Sequence, residues 1–125
     1  MKRTVETDDA PAAVGAYSQA TTTDDLLFTA GQVPLDADGE LVEGDVATQT
    51  RQALANVEAI LASEGAALAD VVKTTVYLRS ADDFAAMNEA YAEWFDDEPP
   101  ARSAVVAAPP VEGCDVEIEA VATVE

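Results

Sequence analysis

The sequence predicts an α+β domain in which two helices pack on one face of a single mixed sheet. Three observations lead there. Of 125 residues, 49% are hydrophobic, enough for one core even though 25 acidic side chains face only 6 basic ones. Apolar residues recur at helical spacing in two separate stretches. Around these stretches lie β-branched runs, the last of them alternating. Neither a repeat nor a linker divides residues 1–125, so one domain is expected.

The first twenty residues are polar, with a turn at Pro11. Leu26 to Val33 reads as a strand ended by Pro34, and Asp36-Ala37-Asp38-Gly39 as a hairpin turn. Asp45 caps a helix whose apolar face is Val46, Ala53, Leu54, Val57, Ile60 and Leu61, and Gly65 stops it. Val71 to Leu78 forms a second strong strand. Ser80-Ala81-Asp82-Asp83 has the form of a capping box. The helix it opens carries Phe84, Met87, Tyr91, Trp94 and Phe95 on one face, and Pro99-Pro100 ends it. Arg102 to Ala107 and Asp115 to Val124 complete the sheet.

The net charge of -19 sets the surface chemistry. It repels phosphate backbones and anionic headgroups, so neither nucleic acid nor membrane is an expected partner. The scarcity of lysine and the plentiful Asp, Glu, Ala, Thr and Val resemble proteins adapted to concentrated salt; an ordinary acidic protein is the alternative. No segment approaches a membrane span, and no apolar stretch follows Lys2 and Arg3, so a cytoplasmic protein is expected. Without histidine there is no Ser-His-Asp or Cys-His nucleophile and no His-ligated zinc. Cys114 is the single cysteine, with nothing beside it to activate it. Neither standard glycine-rich nucleotide motif is present.

The side chains that remain for chemistry are few. Arg102 follows a rigid Pro-Pro-Ala turn at a strand start, where its planar fork suits a carboxylate; an ion pair with one of the many acidic residues is the other reading. Glu119 is either an acid/base group facing a cleft or part of a solvated sheet face. Asn88, beside the second helix's apolar stripe, either bridges helix to sheet or meets a ligand. Tyr17 either plugs the core or walls a pocket.

Seven blocks carry these residues in order: Ala16-Tyr17-Ser18-Gln19-Ala20, Thr29-Ala30-Gly31-Gln32-Val33-Pro34, Thr50-Arg51-Gln52-Ala53-Leu54-Ala55-Asn56, Val71 to Leu78, Asn88-Glu89-Ala90-Tyr91, Pro99-Pro100-Ala101-Arg102-Ser103 and Val116-Glu117-Ile118-Glu119-Ala120. Together, from about Ala10 to the C-terminus, they resemble the RidA family, the YjgF-like reactive intermediate deaminases. The resemblance implies a chorismate-mutase-like fold and a homotrimer around a central barrel, with ligand clefts between subunits. It implies hydrolysis of enamine/imine intermediates such as 2-iminobutanoate and 2-iminopropanoate to 2-oxo acids and ammonia, without metal or organic cofactor. Those intermediates come from pyridoxal-phosphate enzymes such as threonine dehydratase.

By position, the resemblance assigns the substrate carboxylate to Arg102 and the attacking water to Glu119. It makes Tyr17 a wall, puts Asn88 nearby and brings the Gly31 backbone to the ligand. Two positions depart from the family pattern. Ala104 stands where many members have Cys or Thr, and Ala30 where many have Ser. Only backbone groups are left there to meet a ligand. The loop Ala108-Pro109-Pro110-Val111 also differs. A non-catalytic trimer that binds small carboxylates is the rival reading. A ribonuclease, a label some members carry, is opposed by the charge.

Overall fold

A computed structural model describes all 125 residues. The polar N-terminal stretch, expected to hold only a turn, carries two short strands. β1 (Arg3–Val5) and β2 (Ala20–Thr22) pair antiparallel with Val5 opposite Ala20, and both of those side chains are buried. Three residues are too few for alternation to stand out in sequence. The loop between them is closed by the Gln19 amide. Its Oε1 accepts from Thr7 N at 2.7 Å, and its Nε2 donates to the carbonyls of Thr7 (3.0 Å) and Pro11 (2.8 Å).

β3 (Leu26–Thr29) is shorter than the expected Leu26 to Val33. The chain leaves the ladder at Ala30 and touches it again at Gln32, which exchanges backbone hydrogen bonds with Ile118 at 2.7 and 2.9 Å. The Asp36–Gly39 turn forms, with Gly39 at φ +83°, but one bridge between Leu35 and Leu41 replaces a hairpin. Hydrogen bonds from Asp36 N to Glu40 O and from Val42 N to Pro34 O, each 2.8 Å, hold that bridge, and side chains of the following helix take the carbonyls that point away from it. Asn56 Nδ2 donates to Val33 O (3.1 Å) and Leu35 O (2.8 Å), and Gln52 Nε2 to Leu35 O (3.2 Å).

That helix is α1 (Val46–Ala62), capped by Asp45, whose carboxylate accepts from Thr48 N at 2.9 Å. The chain turns off it through Gly65, at φ +75°, where a side chain would be strained. Its buried stripe is the one read from sequence, with Gln49, Thr50 and Asn56 buried beside it.

β4 (Val71–Leu78) follows, with a bulge between Val71 and Lys73. Before α2 (Phe84–Ala92), Ser80 Oγ accepts from Asp82 N at 3.1 Å, so the cap closes one residue earlier than the expected box, over a 3-10 turn. Of the expected apolar face, Met87 and Tyr91 are buried, Phe84 is exposed, and Trp94 and Phe95 pack beyond the helix end. β5 (Ala101–Val106) runs parallel to β4, and β6 (Val116–Thr123) runs antiparallel between β3 and β4. The sheet order is β1-β2-β3-β6-β4-β5. A parallel return needs a long crossover, which α2 supplies.

Both helices cover one face of the sheet, over Leu27, Val76, Leu78, Val116, Ile118, Ala120 and Ala122. The other face carries no helix and leaves Phe28 42% exposed. Edge strand β5 exposes Val105 and Val106.

Asn56 is expected to be the polar keystone of the loop before α1. Asn56→Ala removes two part-buried hydrogen bonds, leaving Val33 O with Leu35 N and Leu35 O with Gln52 alone, and should lower stability by about 1–3 kcal/mol. Urea unfolding checks this; a midpoint equal to wild type would show that these bonds do not hold the segment.

Candidate active site

The position of each candidate side chain follows from strand register. On β4, Thr74 pairs with Arg102 of β5, whereas its neighbour Thr75 pairs with Glu119 of β6. Adjacent residues of a strand point to opposite faces. Arg102 therefore lies on the helix-covered face and Glu119 on the open one.

Arg102 lies over aromatic rings. Its guanidinium carbon is 4.8 Å from the Tyr91 ring centroid and 5.5 Å from that of Phe84. Tyr91 is held in turn by a 2.7 Å hydrogen bond with Thr74 Oγ1 and by Phe95, whose ring centroid is 4.7 Å away. Burial pushes the Tyr91 phenol up, against the opposing effects of the Thr74 bond and the Arg102 charge, so the hydroxyl stays protonated. Arg3, Arg51 and Arg79 are each paired, with Glu64, Glu93 and Asp115 respectively; Arg102 forms no ion pair in a chain with 25 acidic residues. The ion-pair reading is thus not realised within the chain. The guanidinium opens into a cleft of about 370 Å³ walled by Tyr91, Phe95 and Pro100. Asn88 stands at its rim, exposed, and makes no bridge from helix to sheet. Ala104, two residues along β5 opposite Val76, is exposed and adds only a methyl group.

Glu119 belongs to a second cluster. Its Oε1 accepts from the Tyr77 hydroxyl at 3.1 Å. Glu117, one pair along β6, is half-buried; burial, then the nearby Glu119 charge, pushes its carboxyl up. Gly31 backs this cluster: a Cβ built there would stand 1.9 Å from Glu117 Oε2. Gly31 is needed for space, since its φ is ordinary. Pro109 and Pro110 of the divergent loop close one side of the cleft in front of Glu117 and Glu119. Sequence reasoning set Glu117 on the same strand face as Glu119 without giving it a role, and passed over Tyr77, which alternates with Thr75 onto that face.

Tyr17 stands apart from both clusters. It is 51% exposed, its hydroxyl accepts from Val14 N at 3.3 Å, and it lines a groove along the N-terminal loop with Thr4, Asp8 and Asp38. Within one chain the structure thus groups Arg102 with Asn88, with Ala104 two residues along the same strand, and sets Gly31 against Glu117, the neighbour of Glu119 on β6. Tyr17 joins neither group. Cys114 is fully buried, and burial pushes its thiol up, which leaves it inert.

This sheet order under two helices is that of the chorismate-mutase-like fold of the YjgF-like proteins. The chain superposes on the Escherichia coli YjgF gene product with a TM-score of 0.91 at 40% identity, covering 97% of this chain and 98% of that one. It likewise matches Escherichia coli TdcF with bound serine, with a TM-score of 0.91 at 37% identity over 98% and 99% of the two chains. The chain belongs to the family described as Endoribonuclease L-PSP, the YjgF/RidA proteins, whose profile it matches over residues 7–124. Among its relatives, a RutC family protein of Pyrococcus horikoshii is 49% identical over 98% of both chains. The 2-iminobutanoate/2-iminopropanoate deaminase of Rattus norvegicus is 42% identical over 98% of this chain and 90% of its own.

Proposed function

We propose that the protein hydrolyses 2-imino acids, such as 2-iminobutanoate and 2-iminopropanoate, to 2-oxo acids and ammonia. The observation that carries this is Arg102, a guanidinium stacked on Tyr91, left without a carboxylate partner, and opening into a cleft. A planar fork held in that way binds a carboxylate at two points and orients it. Serine in the related TdcF is a small ligand that carries such a group. Named imine deaminases among the relatives supply the reaction class.

The chemistry needs no cofactor. Glu119 accepts a proton from water as its oxygen adds to the C=N carbon, and the imine nitrogen takes up a proton. The tetrahedral carbinolamine then loses ammonia, and its hydroxyl becomes the 2-oxo group. Asn88 and Tyr17 line the ligand, the Gly31 backbone contacts it, and Ala104 leaves room beside Arg102. The substrate is supplied by pyridoxal-phosphate enzymes that release enamines.

Arg102 and Glu119 face opposite sides of one sheet, so a single site draws them from two copies. A homotrimer with three shared clefts around a central barrel satisfies this requirement. The exposed β5 edge and the uncovered sheet face supply surfaces for it. The charge of -19 fits a protein working in concentrated salt within the cytoplasm and opposes a nuclease reading.

A mixing experiment tests both parts. Arg102→Ala and Glu119→Gln proteins are each expected to be inactive in a threonine dehydratase assay run in molar KCl. Unfolded and refolded together in equal amounts, they should regain about a quarter of wild-type activity, the fraction of subunit junctions that carry both intact residues. No regain would refute the shared cleft. A wild type that fails to accelerate 2-oxobutanoate release would replace the enzyme with a non-catalytic carboxylate-binding trimer.

A further inference from the structure

We propose that Tyr91 and Phe84 are positioning residues for Arg102, holding its guanidinium by the plane so that the in-plane N–H donors stay free for a ligand carboxylate and off the carboxylate of Asp96. The proposal deepens the deaminase reading and rests on it for the identity of the ligand.

Charge alone would close the Arg102 fork. The chain carries 25 acidic side chains, and the other three arginines have each taken one. Asp96 lines the same cleft as Arg102, yet the two form no ion pair. A guanidinium paired with a carboxylate commits its fork to that partner. A ring takes a different part of the group. Cation–π attraction acts on the flat face, within about 6 Å of a ring centroid, and leaves the edge with its donors open. Both rings meet that condition, Tyr91 at 4.8 Å and Phe84 at 5.5 Å.

The fold places the rings. Phe84 and Tyr91 stand about two turns apart on one face of α2. The Tyr91 hydroxyl is 2.7 Å from Thr74 Oγ1, and Thr74 is the residue directly opposite Arg102 in the β4–β5 register. The ring is thereby tied to the same rung of the sheet that carries the guanidinium. Phe95 packs on it, with 4.7 Å between the centroids. Tyr91 is buried, whereas Phe84 is 41% exposed, so Phe84 can be changed with little cost to the core. Without the rings the long Arg102 side chain samples many rotamers, and Asp96 is a carboxylate in the cleft it would sample.

Calorimetry with 2-oxobutanoate and NMR of labelled arginine side chains test this. Arg3, Arg51, Arg79 and Arg102 are the only arginines, so Arg102→Ala identifies the Arg102 signals by their loss. In wild type its side-chain protons should be shifted upfield, as protons over a ring face are. Phe84→Leu should shrink that shift and weaken 2-oxobutanoate binding about threefold, and Tyr91→Leu about tenfold, the sizes of an exposed and a more buried cation–π contact. Tyr91→Phe keeps the ring and should stay nearer wild type than Tyr91→Leu in both measurements. Asp96→Asn should restore more affinity to Tyr91→Leu than it adds to wild type, the non-additivity expected if the ring keeps the two groups apart. Wild-type affinity with an unmoved Arg102 signal in Phe84→Leu overturns the proposal even where Tyr91→Leu, a core change, fails to fold. An equal gain from Asp96→Asn in both backgrounds overturns it as well. If wild type binds no 2-oxobutanoate, the carboxylate reading fails, and the ligand half of the proposal with it. The upfield shifts then still decide whether the rings place the guanidinium.

Discussion

Arg102→Ala is expected to remove at least about 10²-fold of the acceleration of 2-oxobutanoate release, because the substrate carboxylate loses the group that orients it. The variant should fold. Arg102 forms no ion pair, and the register of β5 on β4 is set by backbone hydrogen bonds that the substitution leaves in place. Light scattering should therefore report the same assembly as wild type. Arg102→Lys separates charge from shape. An ammonium keeps the positive charge but neither stacks as a plane on Tyr91 and Phe84 nor grips two oxygens. It should recover only a small part of the loss. Turnover near that of wild type in Arg102→Ala would remove the main support for the deaminase reading.

Glu119→Gln is the second large effect, about 10²- to 10⁴-fold on kcat, the usual contribution of a general base. The amide oxygen still accepts from the Tyr77 hydroxyl, so the side chain keeps its place and only the ability to take a proton is lost. Binding of an unreactive 2-oxo acid, measured by calorimetry, should change little, whereas Arg102→Ala should abolish it. That contrast assigns carboxylate binding to one residue and water activation to the other. Equal losses of binding in both variants would contradict the division.

Much of the fold was legible in the sequence for local reasons. The α1 stripe, its Asp45 cap and the Gly65 exit are one continuous 3.6-residue pattern with its own stop signals, and all three stand in the structure. The alternation of β6 and the β-branched run of β4 were equally direct. β1 and β2 were missed because three-residue strands carry no period, and their pairing rests on Val5 against Ala20, fifteen positions apart in the chain. The expected hairpin after β3 is reduced to the single Leu35–Leu41 bridge, because Pro34 has no N–H with which to continue the ladder.

Sequence by itself determined which side chains could do chemistry. An acidic chain without histidine excludes the usual nucleophile–base pairs, and the resemblance carried by the ordered blocks is what singles out Arg102 and Glu119 as candidates. Only the tertiary structure decided how they are presented. Arg102 pairs with Thr74 and Glu119 with Thr75, so the two lie on opposite faces. The register of two strands joined by a helical crossover is set by how α2 packs on the sheet, which no local pattern encodes. The same register brings Tyr77 to Glu119 and Glu117 to Gly31 across gaps of more than forty residues, contacts that exist only once the sheet has formed.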